Sequence, residues 1–174
     1  MVKKNVICLV LIVIFMHSCC LFEDFPYDEK ALTYKNKFIF DNQFRMDGMY
    51  LVERDYDGYG LVYFFQNGSY YAAEIDCEIE LECIRIPSRG RDIPYYWGCF
   101  IIEDSILKVQ TYASGSLNQY TEYKKIERWA EIVNDTTIHF FKGIDTKGKV
   151  TKLDETYHFK HCTNKPDSTN ILMR

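Results

Sequence analysis

Residues 61–75 read LVYFFQNGSYYAAEI. Residues 61–65 and 69–75 are rich in aromatic and other apolar side chains, which favour strands. The Asn67-Gly68 pair between them strongly favours a tight turn, because glycine reaches positive φ without a steric penalty. The sequence therefore predicts an antiparallel hairpin, with Asn67 and Gly68 at positive φ in its centre.

Paired strands recur on both sides of this hairpin. Short polar turns at residues 103–105 and 134–135 separate two further pairs, and no helical crossover pattern lies between the strands. The pattern predicts a mainly β fold, an antiparallel up-and-down barrel of the lipocalin-like kind or a curled meander, because closure leaves no exposed edge. About eight strands are expected, at residues 48–53, 61–65, 69–75, 98–102, 106–112, 120–133, 136–141 and 150–159.

Residues 76–86 allow two interpretations. Apolar side chains alternate from Ile75 to Cys83, which is typical of a strand, but Ile84 and Ile86 break the alternation. A short helix in this segment therefore stays open beside the strand.

The composition is that of one globular domain. The chain has 174 residues, of which 47% are hydrophobic and 26% are charged. Its net charge is −4, and removal of an N-terminal signal with Lys3 and Lys4 would make it −6. An acidic domain of this kind argues against nucleic acid as a partner, since phosphates attract basic surfaces.

The first twenty residues, MVKKNVICLVLIVIFMHSCC, have the parts of an export signal. Lys3 and Lys4 precede an apolar segment at residues 6–16. At about 1.5 Å per residue this segment is too short for the roughly 30 Å core of a bilayer. The pattern indicates export rather than a transmembrane helix.

Ser18-Cys19 resembles the lipobox of bacterial lipoproteins, in which the cysteine receives a lipid and becomes the mature N-terminus. The resemblance implies a signal peptide at residues 1–18 and lipidation at Cys19, with Cys20 as the alternative. The protein would then contact the membrane through its N-terminal lipid. We expect it in the cell envelope, at the outer membrane, with the domain in the periplasm or at the cell surface. An ordinary secreted signal peptide is the other interpretation.

The rest of the chain divides into three parts. Residues 19–43 are mixed in character and are expected to form the lipidated N-terminus and a tether. Residues 44–162 contain the predicted strands and form the barrel domain. Residues 163–174 are expected to be a loose polar tail.

Four segments together resemble a group of small Bacteroidetes lipoproteins with a lipocalin-like barrel. The resemblance covers residues 44–160 and implies no assigned activity. The segments are Asp47-Gly48-Met49-Tyr50, Tyr63-Phe64-Phe65-Gln66-Asn67-Gly68, Trp97-Gly98-Cys99-Phe100-Ile101-Ile102 and Val133-Asn134-Asp135-Thr136-Thr137.

No motif in the sequence indicates catalysis. No two histidines after the signal have the spacing of a metal site, and neither a nucleophile elbow nor a phosphate-binding glycine loop is present. We therefore expect a protein that is not an enzyme and that has no metal or cofactor.

The cysteines allow two arrangements. In an oxidising compartment disulfides can form, but Cys77 and Cys83 on one straight strand would lie roughly 20 Å apart, too far to pair. Buried free cysteines are one interpretation, and a disulfide between Cys99 and Cys162 is the other.

Aromatic residues are the remaining signal, with 14 tyrosines and 12 phenylalanines. Tyrosine combines a flat apolar face with a polar tip, which suits a pocket for a sugar or an apolar ligand, a protein contact, or plain barrel packing. We expect a binding domain for a small ligand or an envelope protein, and alternatively a solid barrel that is a structural subunit of an envelope complex. The candidate binding residues are Tyr95, Tyr96, Trp97, Tyr56 and Tyr59.

Overall fold

A computed structural model of the protein describes residues 27–35, 37–38, 43–54, 58–75, 86, 88–114 and 123–173. Strands make up most of this part of the chain, and no helix within it is long and apolar enough to cross a membrane. The strands are β1 (Gly48–Glu53), β2 (Tyr59–Phe64), β3 (Ser69–Ile75), β4 (Trp97–Glu103), β5 (Ile106–Ser114), β6 (Tyr123–Asn134), β7 (Thr137–Ile144) and β8 (Val150–His161). Short 3₁₀ turns are Glu29–Ala31, Ser88–Arg91, Pro94–Tyr96 and Ile171–Met173.

The eight strands form a closed antiparallel barrel in which each strand pairs with the next. The barrel closes where β8 returns to β1, so that Tyr50 lies opposite Val62 on one side and Phe159 on the other. The predicted up-and-down barrel is therefore confirmed. β1 and β3 have the predicted bounds, and the other strands differ from prediction only at their ends.

The β2–β3 hairpin forms as predicted, but its loop is one residue longer than a two-residue turn. Phe65 donates to the oxygen of Ser69, and Gly68 donates to the oxygen of Phe65. Gly68 has φ of 78°, whereas Asn67 does not have positive φ. The expectation of positive φ thus holds for Gly68 and is wrong for Asn67, because in a three-residue loop only the last residue is left-handed.

The β7–β8 hairpin repeats the same loop. Asp145 donates to the oxygen of Lys149, and Gly148, at φ of 80°, donates to the oxygen of Asp145. The β4–β5 hairpin differs, since Asp104 and Ser105 both have positive φ in a two-residue turn.

The barrel interior is a core to which every strand contributes. Alternate side chains of a strand point to opposite faces, so that one row per strand is directed inward. Phe44, from the segment before β1, packs against the rings of Tyr50, Phe64 and Phe100 and closes the end of the barrel beside the β6–β7 turn. The buried inward side chains of the strands are Tyr50, Val62, Phe64, Tyr70, Phe100, Leu107, Val109, Ala130, Ile138, Phe140 and Tyr157.

A second core lies on the outer face of β1 to β5. Its strand residues include Met49, Leu61, Tyr63, Tyr71, Trp97 and Cys99. Leu32, Ile86 and Leu172, from segments outside the strands, complete it. The barrel wall is therefore sandwiched between two apolar layers.

The described part of the expected tether is packed against the barrel. Leu32 is buried in the outer core, and the Tyr112 hydroxyl donates to the oxygen of Asp28 at 2.6 Å. The amide of Tyr34 donates to the side chain of Gln110 at 3.1 Å. A tether was therefore the wrong prediction for residues 27–35, because they cover apolar surface that β5 would otherwise expose.

The C-terminal tail is packed as well, contrary to expectation. Leu172 and Asn170 are buried, and Asp167 forms an ion pair with Arg91 at 2.6 Å. The ammonium of Lys165 contacts the backbone oxygens of Met46 and Phe64. The tail thus joins the closed end of the barrel to the loop before β4.

The structure excludes the disulfide between Cys99 and Cys162. Cys99 is a free, buried thiol in the outer core, and burial raises its pKa to about 12. Cys162 is disulfide-bonded. Cys20, Cys77 and Cys83, together with the ambiguous residues 76–85, lie outside the described residues.

Candidate functional site

The sheet is incomplete between β3 and β4. These strands pair only through Ser69 to Tyr71 on β3 and Trp97 to Cys99 on β4. Residues 72–75 still pair with β2 but have no partner on β4. The 3₁₀ turn Pro94–Tyr96 lies before β4, next to this gap. We call the gap the seam.

A cavity of about 640 Å³ opens at the seam. It leads from the outer surface toward the barrel interior, because its lining includes residues of both faces of the sheet. The wall formed by β2 and β3 comprises Gly60, Leu61, Tyr71, Ala72, Ala73 and Glu74; the opposite loop contributes Gly90, Ile93, Tyr95 and Tyr96; and the interior contributes Arg54, Arg128 and Tyr157.

Tyrosine rings in contact with one another form the loop side of the cavity. The Tyr95 and Tyr96 ring centroids are 4.1 Å apart, and Tyr96 lies 5.8 Å from Tyr71 across the seam. Burial, followed by repulsion from Tyr96, raises the pKa of Tyr71 to about 12. Tyr71 therefore stays neutral near pH 7 and can both donate and accept a hydrogen bond.

Charged side chains from three elements meet on the interior side. The Glu155 carboxylate lies 2.8 Å from Nη2 of Arg128 and 3.3 Å from Nη1 of Arg54. The Tyr157 hydroxyl donates to Glu155 at 3.2 Å and accepts from Arg54 at 3.4 Å. The guanidinium of Arg128 also lies over the Phe140 ring, 4.3 Å from its centroid.

These contacts keep Glu155 ionised. Burial by itself would raise the pKa of Glu155, but attraction to Arg128, and then to Arg54, outweighs burial and lowers it. The interior cluster therefore carries two positive charges and one negative charge at neutral pH.

The structure describes four of the five predicted binding residues. Tyr95 and Tyr96 line the cavity, and Tyr95 is 36% exposed. Trp97 is fully buried in the outer core, so its assignment to a binding surface was wrong. Tyr59 does not line the cavity, and Tyr56 lies outside the described residues.

The residues predicted from the sequence did not include Arg54, Arg128 and Glu155. A usable signal existed in the strand alternation, because Arg128 shares the inward row of β6 with Ala130, and Glu155 shares the inward row of β8 with Tyr157. A charged residue in an otherwise apolar row is a candidate for a buried polar site.

A metal centre is not found among the described residues, where no group of three or more potential ligand side chains comes together. The lipidation candidates Cys19 and Cys20 are outside this part of the chain. The resemblance to small Bacteroidetes lipoproteins stays a prediction. Comparison of the chain with protein-family models, curated proteins and solved structures found no match.

Proposed function

We propose that this protein is a lipid-anchored lipoprotein of the cell envelope whose barrel binds a small ligand without converting it. The observation that carries the binding proposal is the cavity at the seam, which we call the seam cavity. Its volume of about 640 Å³ lies in the range of small-molecule sites, and its lining is mostly apolar with a few polar groups.

The seam cavity favours a ligand-binding barrel over the alternative, a solid barrel that is a structural subunit of an envelope complex. Aromatic rings around Phe44 fill the closed end of the interior, but the half that contains Arg54 and Arg128 opens to the seam. An interior used only for stability would gain from being filled throughout.

The proposed anchor rests on the sequence alone. Lysines, an apolar segment and Ser18-Cys19 follow one another as in bacterial lipoproteins. Lipid chains at Cys19 would hold the domain at the membrane, since each buried CH₂ contributes about 0.8 kcal/mol.

Titration with N-phenyl-1-naphthylamine, an uncharged fluorescent probe, tests the binding proposal. We expect saturable binding to the wild type, and an affinity at least about fivefold lower in Tyr96→Ala, because Tyr96 supplies aromatic contact in the cavity. Tyr59→Ala is the matched control, since this half-buried tyrosine does not line the cavity.

The absence of saturable binding to the wild type would overturn the ligand-binding proposal in favour of the structural alternative. Equal weakening by Tyr96→Ala and Tyr59→Ala would also count against it. The melting temperature of each variant, measured alongside, separates loss of binding from loss of the fold.

A further inference from the structure

We infer that the ligand of the seam cavity is a small organic anion with an apolar body, and that Arg54 and Arg128 bind its acidic group. This inference rests on the proposed function and specifies its ligand class. It is carried by the placement of two guanidinium groups and a single carboxylate on the interior side of the cavity.

The interior side of the cavity carries more positive than negative charge. An arginine guanidinium in a protein is always charged, and Glu155 neutralises only one of the two groups of Arg54 and Arg128. Glu74 also lines the cavity, but its side chain is exposed and water screens it. The interior side therefore keeps an excess positive charge where water is partly excluded, and an anion would compensate that charge.

The guanidinium groups are not fully hydrogen-bonded within the protein. Nε of Arg54 is buried and has no hydrogen-bond partner among the described residues. Nη2 of Arg128 is also buried, and the Glu155 carboxylate lies 2.8 Å from it as its ion-pair partner. Each guanidinium carries several N–H donors, so Arg54 and Arg128 together offer more donors than the Glu155 carboxylate and the Tyr157 hydroxyl can accept. The oxygens of an acidic group would accept from the N–H groups that face the cavity.

Both guanidinium groups are accessible from the cavity. The side chains of Arg54 and Arg128 are 25% and 19% exposed, and both contribute to the cavity lining. A ligand in the cavity can therefore reach the guanidinium groups without unfolding the barrel.

The remaining lining of the cavity suits an apolar ligand body. Ile93, Tyr95 and Tyr96 lie on the loop side of the same cavity, with Ala72 and Ala73 across from them. Aromatic and aliphatic surfaces of this kind pack against an apolar or planar body. The cavity thus combines one anion-binding side with one apolar side, which suits an amphipathic acid better than an uncharged sugar.

Two fluorescent probes that differ by one group test this inference in the full chain. 1-Anilinonaphthalene-8-sulfonate has the ring system of N-phenyl-1-naphthylamine with an added sulfonate. We expect the wild type to bind the sulfonate probe more tightly than the neutral probe. High salt should lower the affinity for the sulfonate probe alone.

Three variants assign the difference to the arginines. Arg54→Met should lower the affinity for the sulfonate probe at least about tenfold and change the affinity for the neutral probe less than about twofold. Glu155→Gln should raise the affinity for the sulfonate probe severalfold, because the substitution removes the competing anion. General damage to the fold would lower that affinity instead. Lys142→Met removes a charge from the outer wall, over the Trp129 ring, and should leave both probes unaffected.

The outcomes separate the two proposals. If both probes bind equally well, or if Arg54→Met weakens both to the same extent, the anion inference is wrong and the binding proposal stands. If neither probe binds saturably, the binding proposal fails and the inference fails with it. If Arg54→Met does not fold, the direction of the change in Glu155→Gln decides, and unchanged or weaker sulfonate binding overturns the inference.

Discussion

The indole Nε1 of Trp97 donates a hydrogen bond of 2.8 Å to the backbone oxygen of Gly90. Trp97 begins β4 and is fully buried, and Gly90 lies in the 3₁₀ turn Ser88–Arg91 beside the seam cavity. This bond fixes the loop that holds Tyr95 and Tyr96. Of the three consecutive aromatic residues, Trp97 therefore supports the cavity wall and the two tyrosines form it.

Truncation of these neighbouring aromatics should have unequal effects on stability. Trp97→Ala should lower the free energy of unfolding by about 3–5 kcal/mol, because it leaves a cavity in the outer core and an unpaired carbonyl at Gly90. Tyr95→Ala should cost less than about 1 kcal/mol, since Tyr95 is exposed. Urea unfolding of both variants measures the difference, and similar losses would contradict the assignment of Trp97 to the core.

The two hairpin loops that share a geometry allow a controlled test of packing at Gly68. Gly68→Val should lower stability by more than about 1 kcal/mol, because its φ of 78° is unfavourable for a β-branched residue and the new Cβ would lie 2.5 Å from Cβ of Phe38. Gly148→Val has the same φ penalty, but no atom lies within 4 Å of its Cβ. Gly148→Val should therefore lower the free energy of unfolding by less than Gly68→Val does.

Chemical denaturation of both glycine variants measures this difference. Equal costs would show that the contact with Phe38 contributes nothing. An unchanged stability of Gly68→Val would contradict the hairpin itself.

Stability should rise with pH because of Lys165. Burial lowers its pKa from 10.5 to about 8, and the Asp47 carboxylate only partly opposes this effect. Between pH 8 and pH 10.5 the unfolded chain keeps a proton on Lys165 that the folded protein has released. The free energy of unfolding should therefore increase over this range, by up to about 3 kcal/mol at about 1.4 kcal/mol per pKa unit.

Lys165→Met is the control for this pH dependence. It removes the titrating group and retains an apolar stem, so the difference between its denaturation curves and those of the wild type isolates Lys165. If the two proteins change in parallel from pH 7 to pH 10.5, the pKa of Lys165 is not lowered by folding.

Membrane attachment should depend on one cysteine. Cys19→Ser should remove the lipid and release the domain to the soluble fraction, because the thiol is the proposed site of attachment. Cell fractionation and mass spectrometry of the purified protein measure this. A Cys19→Ser protein that is still lipid-modified at the membrane would contradict the assignment, and Cys20→Ser would then be the next variant.

The barrel could be predicted because its signals are local. The turn at Gly68, the turn at Asp104 and Ser105, and the alternation within strands each depend on a few consecutive residues. The same alternation could have identified Arg128 as an inward charge in β6. It could not have shown that Glu155 lies beside Arg128, because β8 is distant in sequence and meets that charge only across the closed barrel.

The number of strands, their order and the aromatic residues near β4 could be predicted from short segments, since propensity and turn chemistry act over short distances. The folded barrel was needed to show which of these aromatics are buried, how residues 27–35 and the C-terminal tail cover the barrel, and where the seam opens. These features depend on how much of β3 pairs with β4 and on which apolar surfaces are left for distant segments to cover. Burial and pairing of this kind are properties of the whole closed sheet, and no short stretch of residues encodes them.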